Sequence, residues 1–141
     1  MQVDIKWQGN VHFSGTSGSG HEVLMDGPPE SGGENRGSRP MEMMLMGLGG
    51  CTAFDVVDIL RKGRQQIDDV QVTLNAARAD AVPAVFETIH IHFVIVGSGI
   101  NPTKVERAIE LTAEKYCSAS IMLEQAGVQI SHTFEIQEPA G

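Results

Sequence analysis

Basic residues are scarce in this chain of 141 residues: ten Lys and Arg stand against eighteen Asp and Glu, for a net charge of −8 with the histidines neutral. Such a field repels phosphate backbones, and no basic stripe offsets it, so nucleic acid is not an expected partner. Long apolar runs are lacking too. The charge-free apolar stretch near the middle, Met43 to Phe54, has twelve residues, against the roughly twenty that a bilayer demands. The opening MQVDIKWQG carries an acid and a polar alternation where a secretory signal has a basic start and an apolar run. The expected location is therefore the cytoplasm, away from any membrane. Cysteine is limited to Cys51 and Cys117, too few for a disulfide scaffold and, in a reducing compartment, more in keeping with free thiols or a transient redox pair. Phosphate-cradling glycine loops and nucleophile elbows are absent from the pattern.

What is present reads as one ordinary α+β domain over residues 1–141. Val3, Ile5 and Trp7 alternate with polar neighbours, as do Val11 and Phe13; Val23 to Met25 comes after a Gly/Ser-rich turn. This pattern predicts three short antiparallel strands. Residues 26–39, DGPPESGGENRGSR, contain no large apolar side chain and read as a mobile loop. Pro40 suits the first turn of a helix, with Arg39 as its cap. From Met41 to Leu60 apolar residues occupy nearly every face, which calls for burial on most sides. Run through Lys62, that helix would be about 34 Å long, comparable to the domain itself. A second copy of the chain is expected to cover part of it.

Period-2 alternation resumes at 70–80 and, after a turn near Pro83, at 85–97, predicting a long hairpin. Asn101–Pro102 starts an amphipathic helix through Val105, Ala108, Ile109, Thr112, Ala113 and Tyr116. Ser118 and Ser120 are positioned to cap a short helix over 121–126, and a strand over 128–136 closes the chain. The order βββ-α-ββ-αα-β has no repeated βαβ unit, which favours α+β over a doubly wound sheet.

Cys51 lies behind Gly49 and Gly50 inside the greasy helix. A free cysteine is often a small hydrophobe in a core, but Gly47, Gly49 and Gly50 cost a helix interior roughly 1 kcal/mol each relative to alanine. They would admit a substrate, or another backbone, close to the sulfur. Cys117 falls at a predicted helix start, where unpaired N–H groups and the positive end of the dipole favour a thiolate; core filler is its plainer explanation. Glu42, in the first helical turn, is accounted for by the same dipole. His21, His90, His92 and His132 include one pair on a strand face, His90 and His92, and no second pair at ligand spacing, so no metal is expected and the rings read as hydrogen-bonded strand residues.

The runs RGSRPMEMMLMGLGGC (36–51) and KYCSASIMLE (115–124), with the order of elements, resemble the OsmC family of thiol-dependent hydroperoxide reductases. The resemblance spans essentially the whole chain and rests most specifically on Pro40, Glu42 and Cys51. It implies antiparallel sheets around a long central helix in an intertwined homodimer. It also implies reduction of organic hydroperoxides, with an external thiol or lipoyl dithiol as reductant and no bound cofactor. Cys51 would be the peroxidatic thiolate, oxidised to sulfenic acid, and Cys117 would condense with it to a disulfide. An arginine paired with Glu42 would lower the thiol pKa, with Arg36 the first candidate and Arg39 the second. On a continuous helix, Glu42 and Cys51 are about 180° and about 13 Å apart, so a Glu42 acting on Cys51 is expected to come from the partner subunit. The competing expectations are a non-catalytic dimeric module that binds a small apolar or thiol ligand, and a dimer with inert cysteines.

Overall fold

The computed structural model describes residues 1–140. Its elements run β1 (Val3–Trp7), β2 (His12–Ser17), β3 (Glu22–Asp26), α1 (Pro40–Lys62), β4 (Gln66–Arg78), β5 (Phe86–Ser98), α2 (Pro102–Leu111), α3 (Ser118–Gln125) and β6 (Gln129–Gln137). The α+β order agrees with the sequence. The folded chain has two compact units, Met1–Met46 and Gly47–Gly141, with the boundary inside α1.

The first unit is an antiparallel sheet in the order β1-β2-β3. It contributes no large apolar side chain to the buried core. Val3, Ile5 and Trp7 stay 61%, 58% and 65% exposed, and Val23 and Leu24 are exposed as well. The segment after β3 departs from the mobile loop expected of it. Asp26 is only 2% exposed, and its carboxylate accepts the backbone N–H groups of Gly27, Glu34 and Arg36 at 2.9, 3.0 and 3.1 Å. Those bonds, led by that from Arg36, hold the Asp26 carboxyl below its ordinary value despite burial. A single 3-10 turn at Pro29–Ser31 and a bridge from Met25 to Ser38 complete the tether. A low apolar content ruled out packing, but one buried carboxylate organises the segment instead.

The second unit holds the core. Its sheet has the order β4-β5-β6. β4 and β5 pair antiparallel over their full length, from Gln66 opposite Ser98 to Arg78 opposite Phe86. The strand therefore begins at Gln66, four residues before its apolar alternation, because pairing with β5 recruits the polar QIDD residues. β6 runs parallel to β5, with Thr88 opposite Gln129 and Val96 opposite Gln137, so this sheet is mixed where the sequence had implied antiparallel strands throughout. The two intervening helices provide the crossover that a parallel pair requires.

On β5 every second side chain, Ile89, Ile91, Phe93 and Ile95, is at most 1% exposed. On α1 a single stripe at spacing four, Leu48, Thr52, Val56 and Leu60, is buried. Gly49 joins that stripe because a Cβ there would lie 2.8 Å from Leu74 Cδ1 on β4, which gives one of the three glycines a packing role. Around Gly47 and Gly50 there is open space. The remainder of α1 is not buried: Met44, Met46 and Phe54 are 49%, 55% and 71% exposed. By length and composition α1 is apolar enough to cross a membrane, with a mean hydropathy of 1.6 over its best window; the charge-free run of twelve residues understated this.

Asp26→Ala is expected to free residues 27–36 and speed both protease cleavage there and amide exchange at Gly27, Glu34 and Arg36. Lowering the pH has the same direction, because a carboxyl held low in the folded state stabilises above its unfolded pKa and loses that contribution as pH falls through the folded one. Exchange rates at these amides unchanged by the substitution would contradict the tethering role.

Candidate functional site

Cys51 sits on the second half of α1, half-exposed. Cys117 is delivered from a different direction. α2 ends at Leu111 and the chain widens into a π turn over Thr112–Tyr116, closed by the Cys117 N–H on the Thr112 carbonyl at 2.8 Å. Such a turn inserts an extra residue into the helical path and re-aims the chain beyond it. Cys117 then takes extended geometry, with φ −78° and ψ 101°, and becomes the cap of α3, its sulfur accepting the Ser120 N–H at 3.4 Å. The cap is thus the cysteine itself rather than Ser118 or Ser120, and α3 starts earlier than its apolar pattern.

The result is a meeting of two sulfurs 66 positions apart in sequence: Cys117 Sγ donates to Cys51 Sγ across 3.1 Å. Both are free thiols; Cys117 is fully buried and Cys51 is the one reached from outside. The dipole at the start of α3 was expected to favour a Cys117 thiolate. Burial overrides it. Desolvation first, then the hydrogen bond to Cys51, push the Cys117 thiol up to about 11, against a smaller lowering by the Ser120 N–H. At neutral pH Cys117 therefore keeps its proton.

Asp55 has no role expected from sequence, yet one of its carboxylate oxygens lies within 4.8 Å of both sulfurs. The signal available was its spacing: Asp55 is four residues after Cys51, one turn along the same face of α1. Its carboxyl is held above the ordinary value, by burial first and by the charge of Asp58 second. The charge of Asp55 adds to the rise at the Cys117 thiol.

The other expected site residues belong to the first unit. Arg36, Arg39 and Glu42 line one open hollow with Asn35, Gly37 and Ser38. Within it Arg36 pairs with Glu34 at 3.3 Å, both well exposed, and Arg39 Nη1 donates to the Gly37 carbonyl at 3.1 Å. Glu42 Oε1 accepts the Arg39 N–H at 2.7 Å while the Arg39 carbonyl accepts the Met43 N–H. This is the reciprocal half of a capping box, with Arg39 as the cap. The expected Arg36–Glu42 ion pair does not form within one chain, because Glu34 and the helix end take the two partners. The histidines behave as strand residues: His90 shares hydrogen bonds with Ser131 and Thr133, and His92 with Thr133 and Glu135.

The buried thiol makes stability depend on alkaline pH. The folded chain holds the Cys117 proton more tightly than the unfolded one, so its contribution is complete below pH 9 and is lost as pH climbs through about 11; on the order of 2–3 kcal/mol is involved. Urea unfolding of the reduced protein between pH 8 and pH 11 is expected to show this decline, and Cys117→Ala should flatten it. Parallel curves for the two proteins would contradict it.

The sequence model of the OsmC-like protein family matches residues 32–133, which contain both sulfurs and the Arg36–Glu42 hollow. Protein YhfA of Escherichia coli K12 is 46% identical over 136 residues, 96% of this chain and 98% of its own length. A hypothetical protein of Aquifex aeolicus, solved by crystallography, superposes with a TM-score of 0.85 at 29% identity, over 99% of this chain and 97% of its own. The organic hydroperoxide resistance protein OsmC of Legionella pneumophila shares the fold, with a TM-score of 0.72 at 17% identity over 95% of each chain. With its family match extending through both sulfurs and its fold shared from end to end, the chain belongs to the OsmC-like family.

Proposed function

We propose that this chain is a cytoplasmic, homodimeric peroxidase that reduces organic hydroperoxides through Cys51 and Cys117. The single observation that carries this reading is the 3.1 Å approach of a reachable sulfur and a buried one. In the first step the Cys51 thiolate attacks the outer oxygen of ROOH. The O–O bond breaks, ROH leaves after taking up a proton, and Cys51 becomes sulfenic acid. In the second, the Cys117 sulfur attacks the Cys51 sulfur, expelling the hydroxyl as water and leaving a disulfide. An external thiol or lipoyl dithiol returns two electrons, and no bound cofactor takes part.

The first step also needs a cation, and in this reading Arg36 or Arg39, with Glu42, acts from the partner subunit. Helix geometry supports that choice, since Glu42 and Cys51 of one α1 face opposite ways at about 13 Å. Dimerisation is supported by what one chain leaves in water: Val3, Ile5 and Trp7 of β1 and Met44, Met46 and Phe54 of α1. Exposed apolar area on this scale marks an interaction surface. Open space at Gly47 and Gly50 lets another helix approach closely.

The reduced protein is expected to consume cumene hydroperoxide in the presence of dithiothreitol. Cys51→Ser should abolish turnover, and Cys117→Ser should stop at a sulfenic acid trapped by dimedone. A wild type no faster than Cys51→Ser would reject the peroxidase. Separately, light scattering should give twice the chain mass, and Gly50→Leu should shift it toward the monomer with loss of activity. A monomer of full activity would reject the shared site.

A further inference from the structure

Two thiols and a carboxyl converge, with all three ligand atoms within 4.8 Å of one another, and the acid Asp58 adds its charge at Asp55. Ligand atoms held within that limit suit the sharing of one ion. Around a tetrahedral zinc, with Zn–S about 2.3 Å and Zn–O about 2.1 Å, sulfur atoms stand about 3.8 Å apart and sulfur and oxygen about 3.6 Å. The sulfurs at 3.1 Å would part by a fraction of an ångström, a side-chain adjustment.

Donor chemistry selects the ion. Two thiolates are soft ligands, which favour zinc over calcium or magnesium, and one carboxylate leaves a fourth position open to water. Entry is from the Cys51 side, the half-exposed one. The Ser120 N–H already bonds the Cys117 sulfur, and the Ser120 hydroxyl is fully buried without a hydrogen-bond partner. Both are available to a charged sulfur on the same turn. His90 and His92, the histidine pair on one strand face, are engaged across β5 and β6.

We propose that the reduced chain binds a zinc ion through Cys51, Asp55 and Cys117, and that the bound ion withholds both sulfurs from oxidation. Binding exchanges two thiol protons for two Zn–S bonds, with no change of oxidation state. It uses the same sulfurs as the peroxidase but does not rest on that activity, because a dithiol that meets no peroxide would bind the ion equally.

The test titrates Co2+ and then Zn2+ into the reduced, metal-free protein. Expected are sulfur-to-cobalt charge-transfer bands, intense tetrahedral bands, displacement of Co2+ by Zn2+ and release of two protons per ion. Cys51→Ser and Cys117→Ser should each remove the charge-transfer bands or halve them, and Asp55→Asn should weaken affinity about tenfold or more while circular dichroism remains native. Protein oxidised to the disulfide should bind no ion, and Zn2+ should slow thiol labelling of Cys51. Absence of charge-transfer bands overturns the proposal, as does Zn2+ affinity untouched by Asp55→Asn or retained by the Cys51→Ser/Cys117→Ser double variant. A protein that binds zinc yet consumes no hydroperoxide leaves this site standing and removes the peroxidase; the reverse result removes only the zinc site.

Discussion

The folded chain brings a sulfur from the middle of α1 against a sulfur from the junction of α2 and α3. The approach is fixed from both sides. On α1 a stripe at spacing four, Leu48 to Leu60, is buried, and Gly49 allows the helix to lie against Leu74 of β4. Cys51 is thereby held at the edge of the buried stripe and not in it. On the other side Val105 and Ala108 of α2 are fully buried, and the π turn after them sets the direction in which Cys117 leaves the helix. Neither sulfur has to be ordered by the other. Their 3.1 Å approach results from packing decided elsewhere, so the pair is preorganised in the reduced state.

The two sulfurs differ because their surroundings differ. Cys117 is sealed in the core, and desolvation keeps its proton on; Cys51 is half-exposed and faces that proton. The pair therefore has one partly exposed member and one sealed member that holds its proton. Asp55 adds a third acidic group beside them, and its charge contributes to the rise at Cys117.

The first unit, an antiparallel three-stranded sheet with no buried large side chain, has little hydrophobic free energy of its own. What order its long connection has comes from the Asp26 carboxylate and three amides. Glu42 has a comparable local role, closing the start of α1 through the Arg39 N–H. A residue that fits a helix cap and a residue that fits a catalytic pair can be one and the same, and within a single chain Glu42 makes only the cap.

The sequence by itself determined the elements whose signals are local. Pro40 and the apolar run after it set α1, Asn101–Pro102 set α2, alternation set β1, β2, β5 and β4 from Val70, and the motif from Arg36 to Cys51 pointed to the OsmC-like family. These arise from φ preferences, capping and side-chain period, which act over a few residues. What tertiary structure alone decided are relations between distant residues: the parallel pairing of β6 with β5, the extension of β4 back to Gln66, the Asp26 tether, the meeting of Cys51 with Cys117, and the place of Asp55 beside them. No periodicity encodes such relations, because burial, desolvation and approach across 66 positions are properties of the assembled core and not of any stretch of chain.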